Sequence, residues 1–358
     1  MMVAANRRWR SLEDETDESF DWVQGGNLAL SGPDAADRYR DWAELGRGHG
    51  LDTRLIDQDE VRELVPGLRF PHAAAMYTST DGHVDPLSAT RAVGRAAQRG
   101  GATVVSDCRV LGIERRGHRV TGVRTEQGVV SAGTVVCAAG AESRWLLRTA
   151  GVRLPQNLIR GTVALTEPAE PVATTSVWAP GLAFRQRPDG RFVISTGGGG
   201  DVDLTLDTLV QAPLFLGVFG HNFRRMRLRL NGAMWRDLRR RLTGSNEPYE
   251  PRPTRALAER SLLRFREAMP GLRGLRLERV WAGMIDGTPD GLPVLDRLSQ
   301  PDGLVVATGF SGHGFGLAPA VGDAVSGLVT GRGAGYDLRP FRFARFAERD
   351  FTAPAAIL

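Results

Sequence analysis

Residues 303–319 read Gly303-Leu304-Val305-Val306-Ala307-Thr308-Gly309-Phe310-Ser311-Gly312-His313-Gly314-Phe315-Gly316-Leu317-Ala318-Pro319, and the order of these residue types decides the fold class. The stretch 303–308 is apolar and β-branched, the composition of a strand buried on both faces. Alternate glycines follow at 312, 314 and 316, and an apolar helix is expected over 320–330. Strand, glycine turn and helix form the punctuation of a dinucleotide-binding sheet. Glycine lets main-chain N–H groups approach a ligand closely, and the helix behind adds its positive end. Such a turn steadies negative charge on a phosphate or on an electron-accepting ring.

The same punctuation occurs upstream. An apolar run at 134–139 reads as a buried strand, Gly140 breaks it, and a helix is expected over 142–150. Asp85-Pro86 opens a helix over 87–99 that Gly100-Gly101 closes. Short strands are expected at 103–105 with 110–114, 120–125 and 129–131. Nearer the start, helices are expected over 35–45 and 58–65, the second stopped by Pro66-Gly67. The middle has a different texture. Stretches 162–166, 183–187 and 191–195 read as antiparallel strands, the last two joined across Pro188-Asp189-Gly190. Arginine-rich helices are expected over 206–242, in broken form, and over 254–268. An α/β domain formed by 81–155 and 281–345 is thus expected to be interrupted by an α+β domain, built on an antiparallel sheet, from 1–80 and 156–280.

Composition narrows the function classes. The chain has 358 residues, 42% hydrophobic and 24% charged, as a soluble two-domain protein would. Its basic residues are all arginine, and a net charge of +5 is too dilute to indicate a nucleic-acid surface. The arginines over 223–229 interleave with Met226 and Leu228, as amphipathic helices with solvated faces do. Cys108 and Cys137 lie in apolar strand-like runs, with neither metal spacing nor a disulfide framework, which fits a reducing cytoplasm. No metal is expected. The start lacks the apolar core of a signal peptide, and no stretch approaches 18 apolar residues. The run Thr196-Gly197-Gly198-Gly199-Gly200 has no Lys-Ser/Thr after it and reads as a loop, not a phosphate site.

Two segments carry a family resemblance. Trp281-Ala282-Gly283-Met284-Ile285-Asp286-Gly287-Thr288-Pro289-Asp290-Gly291-Leu292-Pro293-Val294, followed by the glycine turn, resembles the C-terminal signature of the D-amino-acid oxidase family of flavoproteins. The sarcosine oxidase β-subunit variant is the most similar. The stretch 81–154 resembles the same family, through Gly82-His83-Val84-Asp85-Pro86, Cys108-Arg109-Val110 and Val135-Val136-Cys137-Ala138-Ala139-Gly140-Ala141. The hairpin Phe184-Arg185-Gln186 with Asp189-Gly190 also fits.

The resemblance implies a Rossmann-like FAD-binding domain of the glutathione-reductase type, N-terminally incomplete. Relatives begin with strand–GxGxxG–helix and an acidic residue about 20 positions on, and residue 1 here aligns beyond that unit. Three readings stay open: a start lying elsewhere, a partner chain that supplies the unit, or a degraded phosphate site. The resemblance places the main chain of Val110 on adenine and the Ala139-Gly140 turn beside the pyrophosphate. It places Gly309, Ser311, Gly312, His313, Gly314, Phe315, Gly316 and Leu317 over the isoalloxazine ring. Gly283 stands where monomeric sarcosine oxidases attach flavin, which implies non-covalent FAD. Ile285 stands where glycine-oxidase-like members carry a carboxylate-clamping arginine. His83 reads as a turn residue, next to Val84 at the flavin-linked histidine position of some β-subunits.

The implied reaction removes hydride from the carbon beside an amine nitrogen of an amino acid or N-alkyl amino acid, giving the imine. Arg185, Asp286 and His313 are the candidate catalytic or positioning groups. The implied partners are a small-molecule amine or amino acid, or another subunit of a heteromeric dehydrogenase. The rival expectation is a catalytically silent structural subunit. An NAD-type oxidoreductase is disfavoured, because nothing positions a nicotinamide.

Overall fold

A computed structural model of the protein describes residues 1–222, 226–244 and 249–352. Strands β1 (Asn27–Ser31), β2 (Thr53–Ile56) and β3 (Ala74–Thr78) come first. A meander of β4 (Val110–Arg116), β5 (Arg119–Thr125) and β6 (Gly128–Ser131) leads to β7 (Val135–Cys137). Then follow β8 (Asn157–Pro168), β9 (Ser176–Ala179), β10 (Leu182–Gln186), β11 (Arg191–Ser195), β12 (Gly200–Asp203) and β13 (Met226–Arg229). The last strands are β14 (Leu277–Gly287), β15 (Val294–Arg297) and β16 (Leu304–Thr308). The helices are α1 (Met2–Thr16), α2 (Ala36–Gly48), α3 (Gln58–Leu64), α4 (Pro86–Arg99) and α5 (Ser143–Thr149). They continue with α6 (Leu206–Asn222), α7 (Ala233–Thr243), α8 (Arg255–Ala268), α9 (Gly314–Thr330) and α10 (Arg345–Glu348).

A ten-stranded sheet runs β13-β12-β8-β11-β10-β9-β1-β3-β2, with β14 also paired to β8. Its ladders are antiparallel except β1 with β9 and β12 with β13. Alternate residues, Leu28, Leu30, Val177, Leu182, Phe184, Phe192 and Ile194, are buried against Leu262 and Phe265 of α8 and Val61 of α3. The rings of Phe192 and Phe265 lie 4.9 Å apart, with Phe184 edge-on to both. The period-2 pleat therefore turns Asn27, Ala29, Ser176, Trp178, Ala183, Arg185, Gly161 and Gly283 to the opposite face. At the β8–β14 end that face is covered by α6, where Ile159 and Ile285 pack with Phe215, Val202 and Met226.

A second, three-stranded sheet runs β15-β16-β7, with β16 and β7 parallel and every residue of β16 buried. Both parallel strands end in glycine turns at the same end of the sheet, the position where open α/β sheets bind ligands. Helix α1 lies along α9, and Trp9 stacks on Phe315 at 5.2 Å while its Nε1–H donates to the Gly316 carbonyl at 3.1 Å.

Several expectations need correction. Residues 103–105 form no strand, and Val104 and Val105 are exposed, because no strand among the described residues pairs with them. The 134–139 run yields only β7, whose Val136 is 39% exposed, since β16 borders one edge and the described residues give the other edge no partner. The stretch 206–242 is not helical throughout: Met226–Arg229 is a strand beside β12, while residues 223–225 lie outside the described residues. Helix α9 starts at Gly314, earlier than expected, and runs through Pro319. Among the described residues, no helix is long and apolar enough to cross a membrane.

Candidate active site

The glycine turn after β16 is fixed from β14. The Asp286 carboxylate accepts the Gly309 N–H at 2.7 Å, and its main-chain carbonyl accepts the Ser311 N–H at 2.9 Å. Thr308 Oγ1 lies 3.0 Å from the same carboxylate, 2.8 Å from Ser143 Oγ and 3.3 Å from the Gly140 carbonyl. Gln156, fully buried, donates Nε2–H to the Gly140 carbonyl at 2.9 Å. One buried polar node thus ties the Ala139-Gly140 turn to the Gly309–Gly316 turn. Every partner in it is satisfied, as a low-dielectric interior requires.

Glycine is required at 309 for two reasons. Its φ is +76°, and a Cβ there would stand 2.4 Å from Thr288 Cγ2. By contrast, Gly283 and Gly140 leave open space where a Cβ would go. Gly283 pairs directly with Gly161 across β14 and β8 on the open face. Two side-chain-free positions side by side make a flat floor. Gly312, His313 and Gly316 are exposed, so the start of α9 is open to a ligand. Its first-turn N–H groups have no partner within the helix.

Between this turn and the open face lies a cleft of about 640 Å³, bordered by Asn27, Ala29, Tyr39, Trp42, Trp178 and His313. The junction is not walled off. The other expected residues stand as follows. Arg185 lies on the open face, partly buried. Val110 opens β4 in the meander, away from the node. Leu317 is buried beneath the first turn of α9. Cys137 is buried, which pushes its thiol up. Sequence reading missed Thr308, Gln156 and Ser143, whose signal is only their polarity beside a buried strand. It also missed Asn27 and Trp178, which become neighbours only through the β1–β9 ladder.

The glycine floor, the open helix start and the paired turns fit a flat ring system on which negative charge can develop, with a phosphate tail. Comparison with known proteins decides which. The family model described as FAD dependent oxidoreductase matches residues 1–328. The chain belongs to that family. FAD is its cofactor, and Gly283 offers no side chain for a covalent link to it. The flavoprotein relatives include the sarcosine oxidase subunit beta of Rhizobium meliloti, 26% identical over 351 residues, spanning 96% of this chain and 73% of that protein. The glycine oxidase of Pseudomonas putida is 25% identical over 335 residues, spanning 93% of this chain and 72% of that protein. The structure of an L-amino acid deaminase from Proteus myxofaciens superposes with a TM-score of 0.88 at 22% identity, over 96% of this chain and 80% of that one.

Proposed function

We propose that this chain oxidises an amino acid or N-alkyl amino acid at the carbon beside nitrogen, giving the imine. The observation that carries the reading is the cleft bordered by Asn27 and Trp178 of the open sheet face and by His313 at the exposed start of α9, together with the side-chain-free Gly161–Gly283 pair on the same face. Relatives named for sarcosine and glycine support the substrate class.

FAD, when bound, supplies the hydride acceptor. The main-chain N–H groups of Gly312, Gly314, Phe315 and Gly316 would stabilise charge that develops on its ring. Ala139 and Gly140 would leave the tail room to pass, and the Val110 main chain would meet the adenine. Asp286 has its carboxylate committed to Gly309 and Thr308, so it acts by positioning the turn. His313, on the cleft wall, shields the reacting carbon from water and orients the amine. In this scheme 81–155 with 281–345 hold the cofactor, and 1–80 with 156–280 face the substrate. The edge of β7 that has no strand partner among the described residues and a relative named as a subunit support assembly with a further polypeptide.

The test is anaerobic addition of sarcosine, glycine or L-proline to the purified, FAD-loaded protein. Loss of the oxidised-flavin band with at least one of them is the expected result. A band unchanged by all three, or a protein that takes up no FAD, contradicts the reading.

A further inference from the structure

The cleft beside His313 is larger than the reaction itself requires. Its volume of about 640 Å³ lies in the range that holds drug-sized ligands, whereas glycine or sarcosine has only a few non-hydrogen atoms. From the open face it reaches past the ends of β1, β9 and β11, at Ser31, Pro180 and Thr196, to one side of α8. Tyr39 and Trp42 of α2 and Trp178 of β9 border it, and both indoles are 44% exposed. Aromatic faces left open on a cleft wall are apolar surface that a ligand can cover. Gly198 and Gly199, at φ of +113° and +83°, border the same cleft and carry no side chain, so a bulky group can approach the backbone there.

The charge of this cleft is one-sided. Arg38, Arg227, Arg260 and Arg264 border it, and none of the described residues that border it is acidic. No hydrogen bond or ion pair among the described residues reaches any of these four guanidiniums. The neighbouring carboxylates are taken or turned away. Asp37 pairs with Arg40, and Asp201, opposite Arg227 in the ladder, serves Arg160, Arg229 and Thr254. Glu259, next to Arg260, does not border the cleft. Elsewhere exposed arginines are compensated, Arg95 and Arg99 by Glu18 and Arg342 by Glu348 and Asp350. Arg260 and Arg264 stand four residues apart on one face of α8, where like charges repel unless something anionic lies between them.

We infer that this outer part of the cleft receives the remote end of the substrate, an apolar or aromatic arm that carries a second acidic group. The substrate class is then an N-substituted or long-chain amino acid with a distal anion, larger than glycine or sarcosine. This deepens the proposed function and rests on it. With the flavin ring against the Gly309–Gly316 turn, the reacting carbon lies toward His313 and the arm extends along Trp178 and Trp42 toward α8. A guanidinium both stacks on aromatic faces and pairs with acidic groups, so the two kinds of wall serve one arm. Because these arginines are solvated, they select and steer the anion more than they tighten its binding.

The test compares the FAD-loaded wild type with the double variant Arg260→Gln, Arg264→Gln and with Trp178→Ala. Substrates are sarcosine, N-benzylglycine and N-(p-carboxybenzyl)glycine, and the readout is kcat/KM at low and high salt. The wild type should prefer the carboxybenzyl compound to N-benzylglycine by about tenfold, and sarcosine should be the poorest of the three. The double variant should lose that preference while its kcat/KM for N-benzylglycine and sarcosine is unchanged, and high salt should erase the preference in the wild type. Trp178→Ala should lower kcat/KM for both benzyl compounds about tenfold and leave sarcosine unaffected. An equal loss on all three substrates would mark a merely structural role and overturn the inference. A double variant that keeps the wild-type preference overturns it, as does one whose loss follows weaker FAD binding, and so does a wild type that favours sarcosine; each leaves the proposed function standing. A protein that oxidises none of the three overturns both.

Discussion

Asp286 and Gly309 are 23 positions apart in sequence, yet the carboxylate of one accepts the main-chain N–H of the other at 2.7 Å inside the protein. The same aspartate reaches Thr308 and, through its carbonyl, Ser311. The last residues of β14 therefore set the path of the turn that opens α9. A ligand-facing turn must keep its own N–H groups free, so its shape has to be imposed from behind. Asp286 supplies that support.

Replacing this acceptor should loosen the turn. Asp286→Ala leaves the buried Gly309 N–H without its acceptor, which costs about 1–3 kcal/mol, whereas the Thr308 hydroxyl keeps Ser143 Oγ and the Gly140 carbonyl. Asp286→Asn keeps one oxygen and should cost less. Chemical denaturation gives the stability change, and FAD affinity should fall in the same order.

The loop that abuts Gly309 is pinned by a buried ion pair. Arg345, 1% exposed, donates to both oxygens of Asp290 at 2.7 and 3.1 Å and to the Leu292 carbonyl at 2.9 Å. Arg345→Met leaves Asp290 buried and unpaired, at an expected cost of about 3–5 kcal/mol. The double variant Arg345→Met with Asp290→Leu should recover most of it, and a denaturation series over the three proteins checks this.

His83 gives stability a pH dependence with a definite sign. Its folded value, about 4, lies below the ordinary 6.5 because of burial and then the Arg185 charge. Between those values the unfolded chain takes up a proton that the folded protein refuses. Stability is thus fully present above about pH 6.5 and declines as pH falls toward 4. With the solvent's screening, the loss is on the order of 2 kcal/mol. Burial works to raise the neighbouring Asp85 carboxyl, but the Ser88 N–H and the Arg187 charge outweigh it and hold it below its ordinary value. His83→Gln should flatten the slope of unfolding free energy against pH between 4 and 6.5, and an unchanged slope would refute the assignment.

The two glycine classes separate by experiment. Gly309→Ala forces a side chain onto a φ of +76° and into Thr288, so it should destabilise the fold by about 3 kcal/mol or more. Thermal unfolding of the purified variant measures it.

Much of this was legible in the sequence because it rests on local chemistry. The Pro188-Asp189-Gly190 hairpin, the Asp85 cap on α4 and the glycine turn before α9 all follow from single residues with few conformational choices. What escaped depends on distant partners. In Met226-Arg227-Leu228-Arg229 four residues satisfy period 2 and period 3.6 alike, and only β12 settles the strand. Helix α1 buries just Ala5 and Trp9, too narrow a stripe to announce itself. The 103–105 run has strand composition and no partner among the described residues. At the site, the glycines could be read as ligand-facing, but sequence does not tell Gly309, which is filled by Thr288, from Gly283, which is open. Nor does Gln156 look different from a surface glutamine until β8 carries it under Gly140.

The most direct measurement is a titration of the apo-protein with FAD, followed by flavin fluorescence, for the wild type and for Gly283→Leu. The added side chain enters open space on the sheet face, so circular dichroism and thermal midpoint should match the wild type. The account predicts saturable binding by the wild type and affinity at least about tenfold weaker in the variant, the loss of roughly 1.4 kcal/mol or more. Wild-type affinity in a folded Gly283→Leu protein would contradict it.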